Sequence, residues 1–512
     1  MDLIQTAIDE RGSIILSVLV ILVGVFTFNS FFNGACNSSQ SNLPWLGKDY
    51  GNALQRQMAY RAHAMDLYRK GYALFKTRAF RLTTSEGERV VVPRDFVKEL
   101  RELPDKILDL REALNQFTLA PLLGLGNPKL SGFVAKLVRA DLTRAIPRIH
   151  SSLAEETERT VAEELPRSED WMQVKIHRKL LRIVAIVSGS VFIGSDLCRD
   201  EKYLDASIMY TVHFSNAMVD LKKWHPKMRW LGRWFTPAVT NLYKERRKAC
   251  AFLIPIVSKR RAAIAAGDDV PENALTWMCK KADKNNLTDE DIANLQLNLS
   301  MAAIHSTALT LLNVVFDLVA CPEGIVEIRE EIKRVLAEHG RINPTTLFHM
   351  KILDSVMKES TRLNPGHAVR FERFLKQSVT LKDGTVLPGN VMIEVPHEVS
   401  LRDPEKFPDP EIFNPHRFSD LRNGSAENVL GYDNLERYQF ITSTQDFMHF
   451  GYGRHACPGR FFAANELKLI LVQIFLKYDI RMPDGVTGRY PNLRKGIDGL
   501  PDFSKDIMVR KL

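Results

Sequence analysis

One cysteine of this chain stands where it could hold a metal. The stretch from Phe450 to Glu466 reads FGYGRHACPGRFFAANE, and Cys457 lies between a glycine-rich, cationic loop and an apolar segment that predicts a helix. Gly451, Gly453 and Gly459 allow positive φ or a close approach to a flat ligand. We predict that backbone N–H groups and the positive helix end lower the pKa of the Cys457 thiol. A soft thiolate suits iron, whereas the alternative is a buried structural cysteine at a helix start.

The other cysteines indicate neither a zinc site nor a disulfide framework, because no two of the chain's six have C-x-x-C spacing. They are Cys36, Cys198, Cys250, Cys279 and Cys321. A reducing compartment is the simpler interpretation.

A charged pair in the stretch KESTR is a second candidate. Glu359 and Arg362 have the i, i+3 spacing that places two side chains on one face of a helix. The same spacing occurs at Glu156–Arg159 and Glu331–Arg334, and such pairs are usually exposed and weak. Spacing alone therefore does not select Glu359.

The composition predicts a large globular protein. The chain has 512 residues, of which 45% are hydrophobic and 26% charged, values that fit neither a disordered nor a multi-span membrane protein. The net charge of +9 suggests acidic partners. We do not expect nucleic acid among them, because no basic run is interleaved with aromatic residues.

The N-terminal segment predicts a membrane anchor over residues 1–40, followed by one catalytic domain over residues 41–512. From Ile14 the chain reads IILSVLVILVGVFTF, and no charged residue lies between Arg11 and Lys48. A cleaved signal peptide is the alternative, but acidic residues outnumber Arg11 before the apolar run. Lysine and arginine follow the segment, which predicts a cytosolic body.

The remaining patterns predict a mainly α fold with small β-sheets. RLTTSEGERVVVP indicates a β-hairpin with a turn at Glu86-Gly87, and VTLKDGTVLPGNVMIEVP a second β region. Between about Asp95 and Glu359 the patterns are mostly helical, including a helix from Trp171 to Ile193.

The cysteine stretch resembles the haem-binding loop of the cytochrome P-450 family. The family pattern F-x-x-G-x-R-x-C-x-G matches Phe450, Gly453, Cys457 and Gly459, with His455 at the arginine position, an order that resembles filamentous-fungal members. The resemblance implies the cytochrome P-450 fold and haem b with Cys457 as axial thiolate ligand of the iron. It also implies that His455 reaches a haem propionate.

Other landmarks of the family occur in the same order. KESTR followed by FNPHRF resembles the family's buried structural cluster, here Glu359, Arg362 and Arg417. Arg373 in RFERF resembles an arginine that meets a haem propionate, with Arg370 as a competing candidate. The family's W-x-x-x-R is missing, and Arg139 is the stand-in.

The resemblance also marks an oxygen-activating helix. Residues 302–307, AAIHST, match the register A/G-G-x-D/E-T-T/S, with Ala303 for glycine, His305 for the acid and Ser306 for threonine. We expect His305, Ser306 and Thr307 to be catalytic, with hydroxyls passing protons. The alternative is a buried helix whose hydroxyls bond back to its own carbonyls.

The resemblance implies a single-pass monooxygenase of the endoplasmic reticulum membrane that uses O2 and electrons from NADPH. A reductase would deliver the electrons, with cytochrome b5 as a further partner, and Arg454, Arg460 and Lys468 could form the basic docking surface. We expect an apolar secondary metabolite, a terpenoid, as substrate. Alternatives are a polyketide or alkaloid skeleton, an isomerase or peroxygenase, and a haem sensor.

Overall fold

The computed structural model describes residues 42–125, 127, 130 and 132–512, so the predicted anchor lies outside the described residues. Most of the described chain is helical, with small sheets, which confirms the predicted fold class.

The helices are α1 (Ala53–Leu74), α2 (Val97–Leu100), α3 (Leu110–Thr118), α4 (Phe133–Leu137), α5 (Thr143–Glu164), α6 (Ile176–Phe192), α7 (Glu201–Leu221), α8 (Arg229–Phe235), α9 (Pro237–Ala266), α10 (Ala274–Lys280), α11 (Asp289–Val319), α12 (Pro322–His339), α13 (Pro344–His349), α14 (Lys351–Leu363), α15 (His397–Ser400), α16 (Arg417–Asn423) and α17 (Arg460–Lys477). The strands are β1 (Trp45–Leu46), β2 (Phe80–Thr84), β3 (Gly87–Val91), β4 (Leu108–Asp109), β5 (Met172–Val174), β6 (Arg370–Leu375), β7 (Val379–Thr380), β8 (Val386–Leu387), β9 (Val391–Val395), β10 (Tyr478–Arg481), β11 (Leu493–Lys495), β12 (Asp498–Leu500) and β13 (Ile507–Lys511).

The long helix α11 runs through the main hydrophobic core. Its start is fixed by a capping box, in which the Asp291 N–H donates to the Thr288 hydroxyl at 3.1 Å and the Thr288 N–H to the Asp291 carboxylate at 3.0 Å. Helices α6, α7, α9, α14 and α17 pack against it. Among the described residues, α11 is the one helix long and apolar enough to cross a bilayer, but 61% of its most apolar window is buried within the fold.

The largest sheet has the strand order β1-β2-β3-β9-β6-β4. The predicted hairpin is β2–β3, but its turn is Ser85-Glu86, one residue earlier than predicted, because Thr84 pairs with Gly87. The second β region forms the short pair β7–β8 and strand β9, which joins β3 and β6 in the large sheet.

The predicted helix from Trp171 to Ile193 is wrong at its start. Residues Met172–Val174 form strand β5, and α6 begins at Ile176. Strand β5 pairs with the C-terminal strand β13, a partner more than 300 residues away that a local helical pattern cannot reveal. Trp171 packs against the guanidinium groups of Arg481 and Arg510, at 4.6 and 4.7 Å from its ring centroid.

Candidate active site

Backbone hydrogen bonds shape the loop that carries Cys457. The Cys457 N–H donates to the Phe450 carbonyl at 2.7 Å, and the Ala456 N–H donates to the Gly453 carbonyl at 3.0 Å. Gly451 and Gly453 have φ values of 72° and 73°, a conformation that other residues adopt only with strain. The backbone path therefore requires glycine at positions 451 and 453.

The Cys457 sulfur lies at the start of α17. The N–H groups of Gly459 and Arg460 bond to it, and the Arg460 guanidinium donates to the Cys457 carbonyl at 3.0 Å. Burial raises the pKa of the Cys457 thiol, and these N–H groups and the Arg460 charge oppose the rise only in part. The predicted lowering of the pKa is wrong for the protein alone, because desolvation outweighs the helix end. A bound cation would favour the thiolate.

Two of the predicted haem-binding residues line one cavity beside this loop. Arg373 and His455 meet there with Arg101 and Tyr452. Arg373 is buried, and its Nη1 donates to the Glu372 carbonyl at 2.8 Å. Burial lowers the pKa of Arg373 to about 10, so the guanidinium stays charged at neutral pH.

The competing arginine, Arg370, has a different environment. Its guanidinium donates to the carbonyls of Pro365, His367 and Val369, within its own stretch of chain. Arg370 is thus committed to the backbone, whereas no ion pair involves Arg373 among the described residues.

His455 and Arg139 hold the loop from its other sides. His455 Nε2 lies 2.8 Å from Asp105 Oδ1, a partner 350 residues earlier that no local pattern indicates. Arg139 lies in a π-helical turn, Val138–Leu142, that joins α4 to α5, and it donates to the Arg454 carbonyl at 3.3 Å. Such turns are frequent at functional sites.

The predicted catalytic helix segment lies in α11. Ala302 and Ser306 are exposed, although Ile304, Thr307 and Ala308 beside them are buried. Helix α11 passes through the core and packs on α17, which begins just after Cys457, so these exposed residues lie on a helix that contacts the helix of the cysteine loop.

The side chains of this segment make different contacts. The Ser306 hydroxyl donates to the Ala302 carbonyl at 2.9 Å, the back-bonding that we gave as the alternative. His305 Nε2 lies 3.0 Å from the Ile208 carbonyl of α7, and burial lowers the pKa of His305. A neutral imidazole that is hydrogen-bonded to α7 thus occupies the position at which the family has an acidic residue.

Glu359, Arg362 and Arg417 form a buried cluster. Arg362 Nε and Nη2 donate to the Glu359 carboxylate at 2.7 and 2.8 Å, and Arg417 Nε donates to it at 3.0 Å. Glu359 and Arg362 are both 0% exposed. Both arginines also donate to backbone carbonyls of the segment 401–412, which pins that segment to α14.

The two other glutamate–arginine spacings do not pair in this way. Arg159 pairs with Glu163 at 2.8 Å and Arg334 with Glu338 at 3.0 Å, each four residues later on the same helix.

Two buried glutamates have roles that sequence reasoning missed. The Glu331 carboxylate accepts from the N–H groups of Ile352 and Leu353 at 2.8 and 3.0 Å, so it caps α14 from a neighbouring helix. Glu466 of α17 accepts from the Ser188 hydroxyl at 2.5 Å, and burial raises its pKa to about 8. The one signal available in the sequence concerned Glu466, a charged residue within the apolar run of α17.

The predicted docking surface is wrong in one member. Lys468 is buried, pairs with Asp354 at 2.7 Å and donates to the Leu347 carbonyl at 2.9 Å. The helical period turns this position of α17 into the core. Arg460 is half-buried against the Cys457 carbonyl, and Arg454 is exposed.

The residues fit the haem that the sequence predicts. The Cys457 sulfur faces two N–H groups. The buried Arg373 lies beside it and has no carboxylate contact in the described part of the chain. A side of α11 with the small residues Ala302 and Ser306 is exposed. These features suit an iron ligand, an anionic edge and a flat ring face, respectively.

Comparisons with known proteins agree with this geometry. The family model "Cytochrome P-450" matches residues 135–497. Cytochrome P-450 monooxygenase braC of Annulohypoxylon truncatum is 31% identical over 92% of this chain and 93% of its own length. Cytochrome P-450 monooxygenase adrA of Penicillium rubens is 32% identical over 96% of both chains, and monooxygenase bsc2 of Alternaria brassicicola 34% identical over 83% of this chain and 81% of its own.

Proposed function

Because this chain belongs to the cytochrome P-450 family and is a haem-thiolate monooxygenase, we propose that it oxidises an apolar secondary metabolite, a terpenoid, from the endoplasmic reticulum membrane. Electrons from NADPH arrive through a reductase, with cytochrome b5 as a further partner. The observation that carries the proposal is that Ala302 and Ser306 are exposed on one side of α11, although most residues of this helix are buried.

Each residue has a proposed task. Cys457 binds the haem iron, and Arg373, His455 and Arg139 hold the haem edge and its loop. Haem bound there supplies the redox chemistry that activates dioxygen. Ser306 holds a proton at its hydroxyl within the exposed space, where the Ala302 side chain leaves room.

His305 and Thr307 have more indirect tasks in this proposal. His305 fixes α11 to α7 through the Ile208 carbonyl, and burial keeps the imidazole neutral. Thr307 is buried beside Ser306 and sets the orientation of the helix. In this proposal proton delivery depends on the Ser306 hydroxyl, because position 305 holds a neutral histidine where the family has an acid.

Product analysis tests the proposal. Membranes that hold this protein and a reductase are supplied with NADPH and with terpenoid, polyketide and alkaloid scaffolds, and products are identified by mass spectrometry. We expect an oxygen-added terpenoid that is absent without NADPH. Ser306→Ala should lower product yield at least several-fold while haem content, read from the carbon monoxide spectrum, is unchanged.

Other outcomes distinguish the alternatives. A product from polyketides or alkaloids alone would contradict the terpenoid assignment and leave the enzyme class intact. Turnover without NADPH would favour an isomerase or peroxygenase, and haem binding without turnover would favour a sensor.

A further inference from the structure

A lysine amine is buried beneath the chain that leads to the cysteine loop. Lys358 of α14 is 2% exposed, and its Nζ donates to the carbonyls of Arg437 at 3.3 Å and Gln439 at 3.0 Å. The ring centroids of Phe418 and Phe447 lie 5.0 and 4.6 Å from the same nitrogen, within the range of cation–π contacts. The amine therefore ties α14 to the chain just before the cysteine loop.

No carboxylate pairs with Lys358 within the described part of the chain. Asp354, one turn earlier on α14, lies 2.7 Å from the amine of Lys468 and 3.6 Å from the guanidinium of Arg422. Arg422 also donates to Glu436 at 2.8 Å. These five residues, the Lys358 cluster, comprise three basic and two acidic side chains, so one positive charge lacks compensation when all are ionised.

The remaining ionisable neighbours do not supply the missing negative charge. Asp446 attracts the amine, but it pairs with Arg94 at 3.0 Å and accepts from the Tyr432 hydroxyl at 2.6 Å. His449 is buried and neutral, because burial lowers its pKa to about 3. Arg437 is exposed, and its contact with the amine is through its carbonyl.

Burial without a counter-charge favours the neutral amine. Desolvation lowers the pKa of Lys358 from 10.5 to about 7, and the carboxylates of Asp354 and Asp446 oppose this shift only in part. When the covering chain opens and the amine reaches water, its pKa returns to about 10.5. The opened state therefore binds more protons between pH 7 and pH 10.5, so a fall in pH across this window favours opening.

A short path joins the buried amine to the cysteine. Gln439, whose carbonyl accepts from the amine, precedes Phe440, and the Phe440 ring meets the Phe450 ring edge to face at 5.1 Å. The Phe450 carbonyl accepts the Cys457 N–H at 2.7 Å. Movement of the segment 437–440 therefore reaches a backbone bond that shapes the cysteine loop.

We propose that the Lys358 cluster is a pH-sensitive latch: the neutral amine holds the segment 437–440 and the cysteine loop in place, and protonation of the amine loosens both. The latch acts on the chain's own backbone, so it requires neither the substrate nor the electron donor proposed above. It makes the order of the loop that carries Cys457 depend on the pH of the surroundings.

Hydrogen exchange at pH 7 and pH 9 tests the latch in the haem-loaded full chain in nanodiscs. Mass spectrometry follows peptides that cover 437–449 and 450–457, and each rate is divided by the intrinsic exchange rate at that pH. We expect both peptides to open at least about tenfold more often at pH 7 than at pH 9, because the opened lysine binds the additional proton. Lys358→Met keeps an apolar stem between the two rings, and its opening should differ less than about twofold between the two pH values.

A second lysine of α14 provides the matched control. Lys351 is partly exposed and donates to Asn423 at 2.7 Å, and Lys351→Met should keep the tenfold change. Lys358→Gln retains a neutral donor for the two carbonyls, so it replaces Lys358→Met if the latter does not fold, and it carries the same expectation. Haem content by the carbon monoxide spectrum confirms that each variant is folded.

The outcomes decide both parts of the proposal. Equal corrected opening of the wild type at the two pH values would overturn the latch, and so would a pH effect that persists in the Lys358 variants. A pH effect confined to 437–449 would overturn its link to the cysteine loop. None of these results bears on the proposed function, which product analysis tests separately.

Discussion

At the scale of single residues, burial outweighs the local groups that favour the charged form at Cys457 and at Glu466. Cys457 faces two N–H groups at a helix start, yet desolvation raises the pKa of its thiol. His449, next to the cysteine loop, is held neutral by burial, which lowers its pKa to about 3. The charge of such a group therefore follows from its tertiary surroundings.

Glu466 gives this effect a measurable consequence. Burial raises its pKa from 4.5 in the unfolded chain to about 8 in the folded protein. Its contribution to stability is therefore fully present below pH 4.5 and is lost as the pH rises through about 8. We expect the free energy of unfolding to fall by about 3 kcal/mol more in the wild type than in Glu466→Gln between pH 6 and pH 9.

Denaturant titrations at both pH values measure the difference. Glutamine keeps an acceptor for the Ser188 hydroxyl, so the change isolates the ionisation. Glu338→Gln, at an exposed position, should follow the wild type. Parallel pH profiles for wild type and Glu466→Gln would contradict the assignment.

At the scale of elements, ion pairs buried between segments matter more than pairs along one helix. Glu359 joins two arginines that also bind the carbonyls of the segment 401–412. The pair Arg334–Glu338 joins neighbours on one exposed face of α12. The cluster around Glu359 fixes the position of α14 against the chain that leads to the cysteine loop. The Arg334–Glu338 pair joins only two side chains of one helix.

Glu359→Ala should cost about 3–5 kcal/mol of folding free energy, because two buried guanidinium groups lose their carboxylate. We expect loss of soluble protein or of haem incorporation, measured by expression yield and the carbon monoxide spectrum. Glu338→Ala is the matched control, with an expected cost of at most about 1 kcal/mol. A stable, haem-loaded Glu359→Ala protein would show that the cluster has no structural role.

At the scale of the whole molecule, the charge of +9 leaves a basic surface whose members differ in accessibility. Arg454 is exposed beside the cysteine loop, whereas Lys468 is buried in the core. An acidic flavoprotein that approaches this face would therefore meet Arg454 and not Lys468.

Arg454→Glu should slow reduction of the haem by the reductase several-fold at low salt, with a smaller effect at high salt, because ions screen the contact. Stopped-flow reduction under carbon monoxide measures the rate. Lys280→Glu changes the net charge equally at an exposed position of α10 and should have little effect. Equal rates for Arg454→Glu and the wild type at every salt concentration would place the docking face elsewhere.

The sequence by itself determined the features that depend on local backbone and on the order of motifs. Gly451 and Gly453 need positive φ, and Cys457 follows them before an apolar helix, so the loop could be identified without a structure. The order of KESTR, FNPHRF and the cysteine loop separated Glu359 from two equal spacings. Within each of these motifs the residues lie a few positions apart, where spacing has a direct geometric meaning.

Only the tertiary structure decided which side chains meet across the chain. It paired His455 with Asp105, committed Arg370 to the carbonyls of its own stretch of chain and turned Lys468 inward. A periodic pattern shows which side of a helix is apolar but not which element covers it, and burial sets the cost of each unpaired charge or acceptor. Contacts between residues hundreds of positions apart therefore had to be seen in the fold.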